Sequence, residues 1–135
     1  MTAWVNDYVG LPYQEGGTTR EGLDCWGLAR LVYRDRFGVE LPDWRWREPF
    51  GLSAKLRALD AALADVERVK LAHEIDEAEP FAIALIEQGG RPHHTGLATG
   101  AGVLHAERWS GTRHDPMERF RRDYPVVRWW RWPRS

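Results

Sequence analysis

The chain of 135 residues carries a single cysteine and five histidines. Three of these, Cys25, His94 and His105, stand in settings that suit nucleophilic catalysis. A thiol attacks as its thiolate, and it needs an imidazole within hydrogen-bond reach and a third polar group to orient that ring. Cys25 directly follows Asp24, a good helix N-cap residue whose carboxylate accepts from an amide of the first turn. The start of a helix favours an anion, so a cysteine there is expected to have a lowered pKa. His94 opens the run His94-Thr-Gly-Leu-Ala98, and His105 lies in Val103-Leu-His-Ala106. On adjacent strands, His94 would take the thiol proton, and His105 would accept from the far ring nitrogen of His94 and fix its tautomer.

These residues require a helix and a hairpin. Asp24 to about Arg36 reads as the helix, with Leu28, Leu31 and Val32 as its apolar stripe and Gly38 as its terminator. Residues 3–9 read as a short helix or extended arm, and Gly10 to Gly17 as a loop. Ser53 opens a second expected helix with Leu56, Leu59, Leu63 and Val66 buried, and 68–72 reads as a short strand. Phe81 to Ile86 is a buried strand, followed by the hairpin strands His94–Ala98 and Val103–Arg108, with the turn within Thr99–Gly102. A two-residue turn at Thr99-Gly100 sets His94 opposite His105, and a turn one residue later is expected to put them on opposite faces. Residues 115–123 read as a polar link or helical turn. Val126 to Trp132 is expected to close the sheet. The whole is one α+β domain spanning 1–135, with helices packed on an antiparallel sheet.

Composition narrows the function. The net charge of −1 offers no bulk attraction to nucleic acid, although eight arginines face only four acidic residues from Glu107 onward. One cysteine excludes an internal disulfide. The N-terminus lacks the pattern of a signal peptide, and no stretch is apolar enough to be expected to span a membrane. Eight tryptophans are many for this length, and some are expected at a binding face.

The residues Gly10-Leu-Pro-Tyr13, Gly16-Gly17, Asp24-Cys25-Trp26-Gly27-Leu28, His94-Thr-Gly-Leu97 and Val103-Leu-His105-Ala106 together resemble the NlpC-type cell-wall peptidases, small papain-like cysteine peptidases. The motifs occur in the family order over roughly residues 8–108. The resemblance implies Cys25 as nucleophile, His94 as general base and His105 as the orienting third member. It places Tyr13 beside Cys25 for substrate or oxyanion binding, and Asp24 along the site. It implies hydrolysis of a peptide bond in bacterial peptidoglycan, after D-γ-glutamyl and before diaminopimelate, without a cofactor or metal. The usual serine after the cysteine is Trp26 here, and the usual Gly-Asp before the strand at 81 is Glu79-Pro80. Trp26 with Gly-Leu-x-Arg-Leu-Val-Tyr33, and Leu41-Pro-Asp-Trp44, look like the members encoded with phage and prophage tails. Such a protein would be made in the cytoplasm and act at the wall after tail delivery, with tail proteins as possible partners. Trp26, Trp44 and Trp46 are expected to line the substrate pocket.

Three other readings stand beside this one. His93, His94, His105 and His114 with Cys25 could hold zinc, although the spacing matches no common zinc pattern. The Arg- and Trp-rich end, 121–134, could dock on a tail partner in a structural assembly protein, or stack bases, although nucleic acid is not the expected ligand. Papain-like amidases and acyltransferases use the same Cys and His.

Overall fold

The computed structural model describes residues 3–41, 72–89 and 91–134. The expected helix from Ser53, the 42–49 loop with Trp44 and Trp46, and most of the expected strand at 68–72 lie outside the described residues.

A short 3₁₀ helix, Ala3–Asp7, precedes two two-residue strands, β1 (Thr18–Thr19) and β2 (Gly22–Leu23). Helix α1 follows at once, Cys25–Phe37. Its ends are set by local chemistry. The Asp24 carboxylate accepts from Gly27 N, and Gly38 ends the helix in the left-handed region, φ 65°, donating to Arg34 O. The first turn admits another segment at close range. A Cβ on Gly27 would lie 1.9 Å from the carbonyl oxygen of Gly17, so the loop before β1 can rest directly on the start of α1.

The remaining described strands form one antiparallel sheet: β3 (His73–Ile75), β4 (Ile83–Gln88), β5 (Arg91–Ala98), β6 (Gly102–Glu107), β7 (Gly111–Pro116) and β8 (Val127–Arg131), in the order β3-β8-β4-β5-β6-β7. A second helix, α2 (Met117–Asp123), joins β7 to β8. Of the two readings of 115–123, polar link or helical turn, the helical one holds for Met117–Asp123, and Asp115 and Pro116 end the strand before it. The last strand enters the sheet between β3 and β4 rather than at its rim.

Both faces of the sheet are covered. Leu28 and Val32 of α1 pack with Leu85, Leu97, Leu104 and Trp130 on one side. Phe120 of α2 packs with Ala84, Ile86, Val103 and Trp129 on the other. The period-two alternation of strands divides neighbours such as Trp129 and Trp130 between the two cores. Each fully buried Leu or Phe in these clusters contributes about 1.5–3 kcal/mol. The C-terminal tryptophans are therefore core residues, with Trp129, Trp130 and Trp132 at most 6% exposed. Arg128 pairs with Glu74 and Glu87, and Arg131 and Arg134 with Glu79. The tryptophans and Arg128, Arg131 and Arg134 thus have roles within the fold, while Arg121 and Arg122 of α2 remain exposed.

Candidate active site

Cys25 is the first residue of α1 and is partly exposed. Asp24 is 4% exposed, and both its oxygens are taken by backbone amides: Oδ1 by Gly27 N at 2.7 Å and Oδ2 by Gly16 N at 2.9 Å. It ties the Gly16-Gly17 loop to the helix and holds the start of α1 in place. Tyr13 lies beside this turn and bridges to Leu23. Its phenol is pushed above its ordinary range first by burial and then by the charges of Cys25 and Asp24, so it stays protonated and can donate. Arg108 lies over the Tyr13 ring at 5.4 Å and pairs with Glu15 at 3.1 Å, joining the β6–β7 end of the sheet to the same loop.

Trp26, expected on a pocket wall, is instead 4% exposed and packs edge-on against Trp132, with ring centroids 6.1 Å apart. Successive residues of a helix diverge by about 100°, so the position after an outward-facing cysteine can turn into the core.

The β5–β6 turn falls at Gly100-Ala101, one residue later than the first expected placement: Thr99 N donates to Gly102 O, and Leu97 pairs with Leu104. The two histidines nevertheless share a face. Moving a two-residue turn by one changes each pairing by two residues, which preserves the face and makes His94 and His105 diagonal neighbours. The residue set opposite His105 is then Gly96. A Cβ there would meet Val103 Cγ1 at 2.7 Å and His105 Cβ at 3.4 Å, so glycine gives the diagonal contact its room.

His94 is 7% exposed and His105 is fully buried. His94 Nε2 and His105 Nδ1 are 3.1 Å apart, and His105 Nε2 lies 2.7 Å from Asp115 Oδ2 on β7. Burial lowers the pKa of His105 from 6.5 to about 4, against the opposing pull of the Asp115 hydrogen bond. Burial acts to raise the Asp115 carboxyl, yet the bond from His105 and the nearby Arg113 hold it below the usual carboxylate range. Arg113 Nε is 3.0 Å from the same oxygen. These states fix the protons. Asp115 is ionised, so His105 Nε2–H donates to it; His105 is neutral, so its Nδ1 accepts; His94 Nε2–H therefore donates to His105. The basic nitrogen of neutral His94 is Nδ1.

Two acidic residues and a tyrosine complete the cluster, and none was singled out in the sequence. Asp115 sits on β7, a strand too polar to show an apolar alternation. Glu107 Oε1 is 3.4 Å from His94 Nε2, and the Tyr124 hydroxyl donates to that oxygen. Counting two residues on from His105 along a strand would have found Glu107 on the same face; no local signal marks Asp115 or Tyr124.

His94 Nε2, His105 Nδ1 and Glu107 Oε1 lie within 4.8 Å of one another, close enough to offer a cation three donors. Their aim suits a proton better. The ring centroids are 5.3 Å apart, about two ring radii plus the bond, so the two nitrogens point at each other and not at a common centre. The wider zinc set expected from sequence does not assemble: His93 is exposed, and His114 Nε2 is bonded to Thr99 Oγ1 at 2.7 Å.

Residues 10–128 match the model of the NlpC/P60 family. The chain belongs to the NlpC/P60 family. It is similar to the probable endopeptidase NlpC of Escherichia coli (strain K12), 52% identical over 46 residues, which cover 31% of this chain and 30% of that protein. It is also similar to the murein DD-endopeptidase MepS/murein LD-carboxypeptidase of the same strain, 44% identical over 36 residues, 27% of this chain and 19% of that protein. The chain thus spans less than a third of the length of these curated relatives. The crystal structure of the NlpC/p60 domain of the peptidoglycan hydrolase SagA shares the fold, with a TM-score of 0.61, 21% identity, and coverage of 94% of this chain and 92% of that one. An NlpC/P60 family protein from Bacillus cereus ATCC 10987 does so with a TM-score of 0.57 and 18% identity, over 84% of this chain and 32% of that one.

Proposed function

We propose that this NlpC/P60 domain is a cysteine peptidase that hydrolyses peptidoglycan stem peptides, at the bond between D-γ-glutamyl and diaminopimelate. The observation that carries the reading is the ordered hydrogen-bond chain Asp115–His105–His94, found in a chain whose one cysteine begins a capped helix. It leaves a histidine with one tautomer and a defined basic nitrogen, as a thiol peptidase requires.

In this mechanism Cys25 gives its proton to His94 Nδ1, and the helix start stabilises the thiolate. Sulfur attacks the carbonyl carbon, and the carbonyl electrons move onto oxygen. Amides of the first turn of α1 and the protonated Tyr13 hydroxyl are the donors that would receive that oxyanion. As the tetrahedral adduct collapses, His94 protonates the leaving amine and the C–N bond breaks, giving a thioester. Water, deprotonated by His94, then attacks the thioester and releases the acid. Throughout, His105 holds the Nε2–H of His94 and so keeps Nδ1 as the nitrogen that exchanges the proton. The wall substrate is supported by what the similar proteins are called, murein endopeptidase and peptidoglycan hydrolase among them.

The tail-associated setting is part of the proposal. Its support is the likeness of Trp26-Gly-Leu-Ala-Arg-Leu-Val-Tyr33 and Leu41-Pro-Asp-Trp44 to tail-encoded members. The protein would act at the wall after delivery, with tail proteins as partners. Detection of this chain by mass spectrometry in purified particles tests it; particles that contain every other tail protein and lack this one refute it.

The activity is tested by digesting purified peptidoglycan with the protein and with Cys25→Ala, and weighing the fragments. Shortened stem peptides released only by the native protein are expected, and their masses name the bond. Equal release by both proteins, or none from a folded native protein, overturns the reading.

A further inference from the structure

Glu107 belongs to no motif and lies outside the chain from Asp115 to His94, yet its carboxylate stands against both imidazoles. Its Oε1 is 3.4 Å from His94 Nε2 and 3.7 Å from His105 Nδ1, with the side chain 19% exposed. It is held there. The Tyr124 hydroxyl donates to that oxygen, and the Tyr124 ring packs 5.9 Å from the His94 ring and 5.8 Å from the His105 ring. Phe120 of α2 braces Tyr124 from behind, with ring centroids 5.1 Å apart. Burial and the bond to Glu107 raise the Tyr124 phenol above its ordinary range, so it remains a donor.

We infer that Glu107 is a positioning residue of the histidine pair, a carboxylate held beside His94 Nε2 whose charge stabilises the imidazolium form of His94. The inference rests on the reading of His94 as the base. When His94 takes the thiol proton it gains a full positive charge. His105 is neutral and cannot balance it. Asp115 is one ring further away, and Arg113 offsets part of its charge. The groups seen around His94 are His93 on its own strand, His105 and Glu107 on β6, Asp115 and Arg113 on β7, and Tyr124 after α2; the proposed mechanism adds Cys25 at the start of α1. Of the carboxylates among them, Glu107 is the one in contact. A carboxylate at this range favours the protonated imidazole, and so favours the thiolate that forms with it.

The test is a nitrogen-15 NMR titration of His94 in the native protein, Glu107→Gln, Glu107→Asp and Tyr124→Phe, with the rate of Cys25 alkylation by iodoacetamide measured across the same pH range. Glu107→Gln is expected to lower the His94 midpoint by about one pH unit or more. Glu107→Asp keeps most of the native midpoint, and Tyr124→Phe moves it the same way by less. Alkylation at neutral pH slows about tenfold in the Gln variant, by the same linkage. An unmoved His94 midpoint in folded Glu107→Gln overturns the inference, whatever the protein does to peptidoglycan. Should that variant not fold, an unmoved midpoint in Tyr124→Phe overturns it. A moved midpoint with unchanged alkylation upholds the role of Glu107 at His94 and refutes the pairing of His94 with Cys25.

Discussion

Acid should unfold this protein through His105, and the size of the effect can be worked out. The His105 side chain is fully buried, and its folded pKa is about 4 against 6.5 for the free side chain. Between these values the unfolded chain binds a proton that the folded chain refuses, so stability rises with pH across the window. The contribution is complete above pH 6.5 and is lost as pH falls toward 4. The fall from 6.5 to about 4 corresponds to about 3 kcal/mol. That is a large share of the 5–15 kcal/mol typical of a domain. His114, also lowered by burial, adds to the same slope. The depressed carboxyls of Asp115, Glu74 and Glu79 act lower, as pH falls below about 4.5, so they leave most of the window clear.

The assay is urea unfolding followed by tryptophan fluorescence at pH 7, 6, 5 and 4.5. For a slope of about 2 kcal/mol per molar urea, the native midpoint should fall by about 1–1.5 M across the series. His105→Gln should be less stable than the native protein at pH 7, because Asp115 loses its buried donor, at a cost of about 1–3 kcal/mol. Its midpoint should then fall less than the native one down to pH 5, by the share left to His114, so the two curves converge. A His105→Gln curve parallel to the native one would show that the acid-sensitive group lies elsewhere. The neutral His105 from which the tautomer of His94 was derived would then lose its support.

Asp115→Asn should leave a folded protein with kcat/KM on peptidoglycan fragments lowered about 10- to 100-fold, as for other outer partners of an active imidazole, and activity within twofold of native would refute its place in the chain. Asp24→Ala should lose about 1 kcal/mol in thermal unfolding from the missing cap and slow Cys25 alkylation, and an unchanged alkylation rate would separate the cap from the thiol. Gly27→Ala places a Cβ 1.9 Å from the Gly17 carbonyl oxygen, so a loss of about 1–3 kcal/mol or more is expected in the same melt, and native stability would show that the Gly16-Gly17 loop moves freely. Truncation after Pro125 removes β8 from the middle of the sheet, so the product should be unfolded by circular dichroism, and a soluble folded product would revive a docking role for the C-terminal end.

The parts of the site that read from sequence are those whose determinants are local. Asp24 and Gly38 mark the two ends of α1 by backbone chemistry that acts within a few residues, and the glycines at 100 and 102 mark the hairpin. The partners that matter to His94 beyond His105 are brought by pairing between strands. β7 reads Thr112-Arg-His-Asp115, with no apolar alternation to announce a strand; β6 pairs with one side of it, and the Gly10-Leu11 loop bonds Thr112 on the other. Its register against β6, with Val103 facing Asp115 and His105 facing Arg113, is set by contacts no short window contains. The position of β8 between β3 and β4 is likewise decided by burial of Trp129 and Trp130 on opposite faces, a property of the assembled sheet.

The hairpin register shows why a motif can survive an error in its geometry. A turn at Thr99-Gly100 and one at Gly100-Ala101 both keep His94 and His105 on one face, and they differ in what lies between. With direct opposition, the two imidazoles would stand side by side with their nitrogens pointing along the same direction. The diagonal arrangement lets one ring reach past the bare Gly96 to the other, so that Nε2 of His94 meets Nδ1 of His105 nearly end to end, 3.1 Å apart. It also sets Glu107 across from His94. The glycine two residues after His94 is then a requirement of the proton chain rather than of the turn. Gly96→Ala should break the His94–His105 bond while leaving both histidines and the hairpin in place.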